Sequence, residues 1–97
     1  MGAEAAFRAA IAADPQYAQA HYNLGVVLNE RGHEAGAETA FRAAISADAQ
    51  YADAHCNLGV VLGMRGDNTS AARSFAAALK IDPSYANAHA GLHTARP

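Results

Sequence analysis

Apolar positions recur along the chain at helical spacing. Ala20, Leu24, Val27 and Leu28 fall at i, i+4, i+7 and i+8, one stripe along a helix. Ala37, Ala40, Phe41, Ala44 and Ile45 form a second stripe on the helix that follows. Gly32 and Gly66 stand after helices of the first kind and suit the left-handed position at which a helix stops. Asp14-Pro15 and Asp82-Pro83 end helices of the second kind, because the residue before a proline is pushed out of helical geometry. Ala49 stands where the other two turns have proline, so the middle turn is expected to be the least sharply defined. The pattern predicts about six helices, roughly over residues 3–13, 18–31, 34–47, 52–64, 68–81 and 86–95.

These stripes repeat. Phe7 to His21 reads FRAAIAADPQYAQAH, Phe41 to His55 reads FRAAISADAQYADAH, and Phe75 to His89 reads FAAALKIDPSYANAH. The spacing is 34 residues each time, and the first two segments agree at twelve of fifteen positions. A second block, AHYNLGVVL from Ala20, returns at the same interval as AHCNLGVVL from Ala54. Each period is one pair of helices, and one pair cannot bury its apolar face alone. Gly25 and Gly59 let paired helices approach with no Cβ between them, and Phe41 and Phe75 fill the space between pairs.

The period and its residue frame resemble the tetratricopeptide repeat family. His21, Leu24, Gly25, Leu28, Gly32, Ala37, Phe41 and Ala44 fit its motif, with Ala49 in the proline slot. His55, Leu58, Gly59, Leu62, Gly66, Ala71, Phe75, Ala78 and Pro83 fit it again. The resemblance implies an all-α fold, a right-handed α-solenoid of antiparallel helix pairs with a concave groove. Residues 1–97 then form one domain: 1–17 the second half of a repeat, 18–51 and 52–85 full repeats, and 86–97 the first helix of a further one. In that last helix His93 replaces the expected Gly.

In the family, ligand-facing side chains come mainly from the first helix of each pair. Carried over by position, the peptide-binding groove comprises Gln19, Tyr22, Asn23, Val26, Asn29 and Glu30, then Asp53, Cys56, Asn57, Val60, Gly63 and Met64, then Asn87, Ala90 and Thr94. Asn23 and Asn57 precede Leu-Gly in both full units, and an amide can hold a peptide backbone through its donors and acceptor. This is similar to the superhelical repeats attached to O-linked N-acetylglucosamine transferase, which use asparagine in that way; Gly91 interrupts the ladder in the last unit. Alternatively the asparagines satisfy neighbouring helix carbonyls. Chaperone-binding members clamp a terminal carboxylate with Lys and Arg, whereas these positions carry Glu30 and Asp53. The expected partner is a protein or peptide presenting a neutral or mildly basic extended segment.

Composition narrows the remaining classes. Seven Lys/Arg against nine Asp/Glu, with no run of either sign, lack the clustered positive charge a nucleic-acid partner requires. No apolar stretch approaches the roughly 18–20 residues that span a bilayer, so no membrane role is expected. With no targeting signal legible and one cysteine, Cys56, a cytoplasmic location is the default expectation.

Catalytic and metal chemistry find little footing. His21, His55 and His89 recur one period apart, too far from one another to share an ion at ~2 Å bonds. They are expected to pack between helices with one ring nitrogen hydrogen-bonded. His89 and His93 lie four apart, two ligands where a structural zinc site takes four. Ser46, Ser70, Ser74 and Ser84 lack motif context, and Cys56 is expected to face the groove with no cation to activate it. Tyr17, Tyr51 and Tyr85 read as packing of the inter-repeat turns. No cofactor and no enzymatic activity are expected. Two alternatives to a peptide scaffold stand open: a substrate-recruiting segment of a larger enzyme, and a homo-oligomer in which helix 3–13 of one molecule completes helix 86–95 of the next.

Overall fold

The repeat period is expressed as six α-helices in a computed structural model that describes residues 2–95. They are α1 (Ala3–Ala13), α2 (Ala18–Glu30), α3 (Glu34–Ala47), α4 (Ala52–Met64), α5 (Asn68–Ile81) and α6 (Ala86–Ala95), with no strand among the described residues. Helix α2 ends at Glu30, one residue before the expected end. Gly32 takes φ +79°, its N–H reaches the Asn29 carbonyl at 3.0 Å and the His33 N–H reaches that of Leu28 at 2.8 Å. Gly66 repeats this at φ +87° with bonds to Gly63 and Leu62. Both glycines supply the left-handed residue of a helix stop that satisfies two orphan carbonyls, and the chain reverses within three residues.

The middle turn corrects an expectation. Asp48, before Ala49, adopts φ −144° and ψ 97°, against −144° and 94° for Asp14 and −134° and 95° for Asp82, both before proline. Its N–H closes on the Ala44 carbonyl at 2.9 Å, as those of Asp14 and Asp82 close on Ala10 and Ala78. The turn is therefore as well defined without proline as with it. Proline restricts the preceding residue, but an aspartate followed by alanine reaches the same extended geometry.

The helices gather into two units, Met1–Ala49 and Gln50–Pro97. In the first, α1 and α3 both pack on α2. Its core is Ala20, Leu24 and Leu28 of α2 against Ala37, Ala40, Phe41 and Ala44 of α3. In the second, α4, α5 and α6 each pack on the other two. Here Leu58, Val61 and Leu62 of α4, Ala71, Phe75 and Ala78 of α5 and Ala88 of α6 are buried. The small residues let helices close: a Cβ built on Gly25 would stand 2.6 Å from the Phe41 ring, and one on Gly59 2.8 Å from that of Phe75. An α1 residue, Glu4, ties its helix to α2 by accepting from Arg31 at 3.0 Å, and accepts from Arg8 of its own helix.

Candidate functional site

Three helices of the second unit enclose a hollow of about 500 Å³. Val60, Gly63 and Met64 of α4 form one wall, and Asn87, Ala90, Gly91 and Thr94 of α6 face them. Its floor is Phe75 with Ala71 of α5, and Asn68 closes one end. No charged side chain lines it. Helical spacing explains the convergence: Val60 and Met64 are four apart on α4, as are Asn87 and Gly91, and Ala90 and Thr94, on α6. Glycine creates the space. A Cβ on Gly91 would lie 2.5 Å from Phe75, so α6 settles on the ring as closely as α4 does at Gly59.

Of the positions carried over for groove binding, Val60, Gly63, Met64, Asn87, Ala90 and Thr94 meet in this hollow. Val60 is 41% and Met64 56% exposed, two large apolar side chains one helical turn apart. Asn57 is half-buried and lies outside the lining. Asp53 is half-buried and accepts a short hydrogen bond from the Tyr85 hydroxyl, a link across 32 residues. That bond gives Tyr85 a polar duty that turn packing alone did not foresee.

Cys56 departs from expectation. It is 2% exposed, so its thiol is a small buried hydrophobe and does not face a groove. Burial, and then the Asp53 carboxylate, push its pKa above the ordinary 9.0 and keep it protonated and unreactive.

In the first unit, Gln19 and Glu30 are exposed, whereas Tyr22, Asn23, Val26 and Asn29 are half-buried. The Tyr22 ring tilts 50° against Phe41 with centroids 5.8 Å apart, which makes it part of the packing. Asn29 Oδ1 is buried with no hydrogen-bond partner. A separate hollow of about 420 Å³ lies over α2 between α1 and α3, lined among others by Ile11, His21, Leu28 and Thr39.

The histidines behave as expected where their bonds are defined. His21 Nε2 donates to the Pro15 carbonyl at 2.8 Å, and His89 Nε2 to that of Pro83 at 2.7 Å. A nitrogen facing a carbonyl must carry hydrogen, which fixes each ring in place. Among the described residues, no three His, Cys, Asp or Glu side chains are grouped closely enough to hold a metal. No helix among them is long and apolar enough to cross a membrane.

The Tetratricopeptide repeat family model matches the sequence over residues 1–52 and again over 32–86. Among solved structures, an O-GlcNAc transferase mutant from Thermobaculum terrenum is 34% identical with a TM-score of 0.88, covering 95% of this chain and 18% of the transferase. MamA is 25% identical with a TM-score of 0.91, covering 95% of this chain and 54% of MamA. The second repeat domain of human RPAP3, solved with an HSP70 peptide, is 22% identical with a TM-score of 0.92, over 97% of this chain and 78% of that domain. The chain thus spans about a fifth of the transferase and about half of MamA. No curated protein matches it.

Proposed function

Because the chain belongs to the tetratricopeptide repeat family, we propose that it is a protein-interaction scaffold, holding an extended, neutral or mildly basic peptide segment along the first helices of its pairs. The observation that carries this reading is the uncharged hollow of the second unit, open to solvent and flanked by exposed Val60 and Met64. An exposed apolar wall with a few amides at its rim is the chemistry that receives an apolar side chain and bonds the backbone on either side of it. Asn87 is exposed for that second duty, and Asn23 and Asn57 stand half-buried on α2 and α4. The exposed Glu30 and the absence of Lys or Arg from these positions support a neutral or mildly basic partner. A peptide-bound neighbour of the same fold, the RPAP3 domain, supports the use of the fold and, at 22% identity, no particular sequence.

The test is an array of synthetic peptides of neutral, basic and acidic-terminal composition, probed with the 97-residue chain. Binding is expected to concentrate on neutral or mildly basic peptides that carry an apolar residue. It is expected to vanish with Met64→Asp and to weaken with Asn23→Ala plus Asn57→Ala, helical circular dichroism being unchanged. Preference for acidic C-termini, or undiminished binding by Met64→Asp, would overturn the reading.

A further inference from the structure

One face recurs on α1, α3 and α5, and on α1 it is only partly covered. Ala37, Ala40, Phe41 and Ala44 of α3 are buried, as are Ala71, Ser74, Phe75 and Ala78 of α5. Their counterparts one period earlier are Ala3, Ala6, Phe7 and Ala10. Of these, Ala3 and Ala6 are exposed, and Phe7 and Ala10 are half-buried. In α3 and α5 the face is covered by the preceding helix, α2 or α4. Among the described helices, α6 is the one of that first kind with no following helix against it. A second copy's α6 laid on α1 would continue the pairing formed twice within the chain.

We propose that His93 forbids this stacking, so that two copies of the 97-residue chain cannot pair α6 of one on α1 of the other. In both existing pairs the phenylalanine of the second helix lies flush against a glycine of the first. An added Cβ would come within 2.6 Å of Phe41 at Gly25 and 2.8 Å of Phe75 at Gly59. Phe41 is 0% exposed and packed on every side, so its ring cannot swing aside, and Phe75, 4% exposed, is held between Gly59 and Gly91. Position 93, one period after Gly59, carries histidine. Its Cβ alone would strike Phe7 of an incoming α1, and its imidazole adds several atoms more. In sequence, Arg96 also stands where Leu28 and Leu62 stand, a charge in place of a core leucine. The contact so prevented is heterologous, the kind that either closes into a ring or grows into fibres.

The test is light-scattering mass across a dilution series of the 97-residue chain and two double variants, His93→Gly/Arg96→Leu and His93→Ala/Arg96→Leu. The variants differ by one methyl group, and circular dichroism checks that both keep their helices. The wild type and the alanine variant are expected to hold protomer mass at every concentration. The glycine variant is expected to climb to at least about twice that mass, and to fall back when Phe7→Glu is added. A glycine variant that stays at protomer mass would overturn the proposal, as would equal assembly by the alanine variant. So would a wild-type mass that climbs and is cured by Phe7→Glu.

Discussion

Phe41 and Phe75 occupy the same position of the repeat, yet their surroundings give them different work. Phe41 has the Gly25 gap on one side and the tilted Tyr22 ring beside it, and none of it meets solvent. Phe75 lies between two glycine gaps, at Gly59 and Gly91, and its ring is the floor of an open hollow. Shared positions thus build the helix pairs, and departures from the repeat build the site. Asn29 against Gly63 and Asn57 against Gly91 are such departures, each one period apart. The second unit is also better finished at its turn: Asp67 accepts from the Ser70 N–H at 3.1 Å at the start of α5, whereas His33 gives α3 no side-chain cap.

The largest effects should come from the phenylalanines themselves. Phe41→Ala is expected to destabilise by about 3–5 kcal/mol and Phe75→Ala by less, because solvent already reaches the hollow beside it. Chemical denaturation measures both, and equal losses would erase the distinction between the two rings. Gly91→Ala comes next. Its methyl would press on Phe75, at about 1–3 kcal/mol for overpacking, less the ~0.5–1 kcal/mol that alanine returns to a helix. The measured melting temperature should fall about as far as for Gly59→Ala; no fall would mean that α6 does not settle on the ring.

Smaller effects sharpen the contrast further. Asn29→Ala removes the unpartnered carbonyl oxygen from α2 and should leave stability unchanged or raise it by up to ~1 kcal/mol. A loss above about 1 kcal/mol would show that the amide has a partner after all. Cys56 supplies the smallest signal. The folded chain holds its thiol proton more tightly than the unfolded chain does. The stabilisation is complete below the ordinary value of 9.0 and disappears as pH rises from there to the raised folded value. Cys56→Ala should therefore flatten the loss of stability above that pH, and parallel curves for the two proteins would count against a buried thiol.

Helix boundaries were legible to within a residue, because three copies of one period repeat the same stop signals at Gly32, Gly66 and the aspartates before each turn. The middle turn was misread: absence of proline removes one restraint, and Asp48 keeps the geometry without it. Position alone placed Cys56 in the groove, since a repeat frame says which face a residue occupies and nothing of what covers it. The bond from Tyr85 to Asp53 was missed although a signal existed. Tyrosine recurs every 34 residues, and a polar residue stands 32 before both Tyr51 and Tyr85, Gln19 and Asp53. The hollow itself was half visible: its α4 and α6 walls follow from position, while its floor depends on how closely Gly91 lets a helix approach.

The link between Arg31 and Glu4 makes ionic strength a selective lever on this molecule. The two side chains are 54% and 25% exposed, so salt reaches them. The screening length shrinks from about 10 Å at 0.1 M to about 3 Å at 1 M, and such pairs contribute at most about 1 kcal/mol even before that. At the opposite end, α6 is held by Phe75 against Gly91, by buried Ala88 and by the Tyr85 hydroxyl, contacts that added salt leaves alone or tightens. A salt titration followed by amide exchange should accordingly loosen α1 while α6 keeps its protection, peeling the chain from one end only.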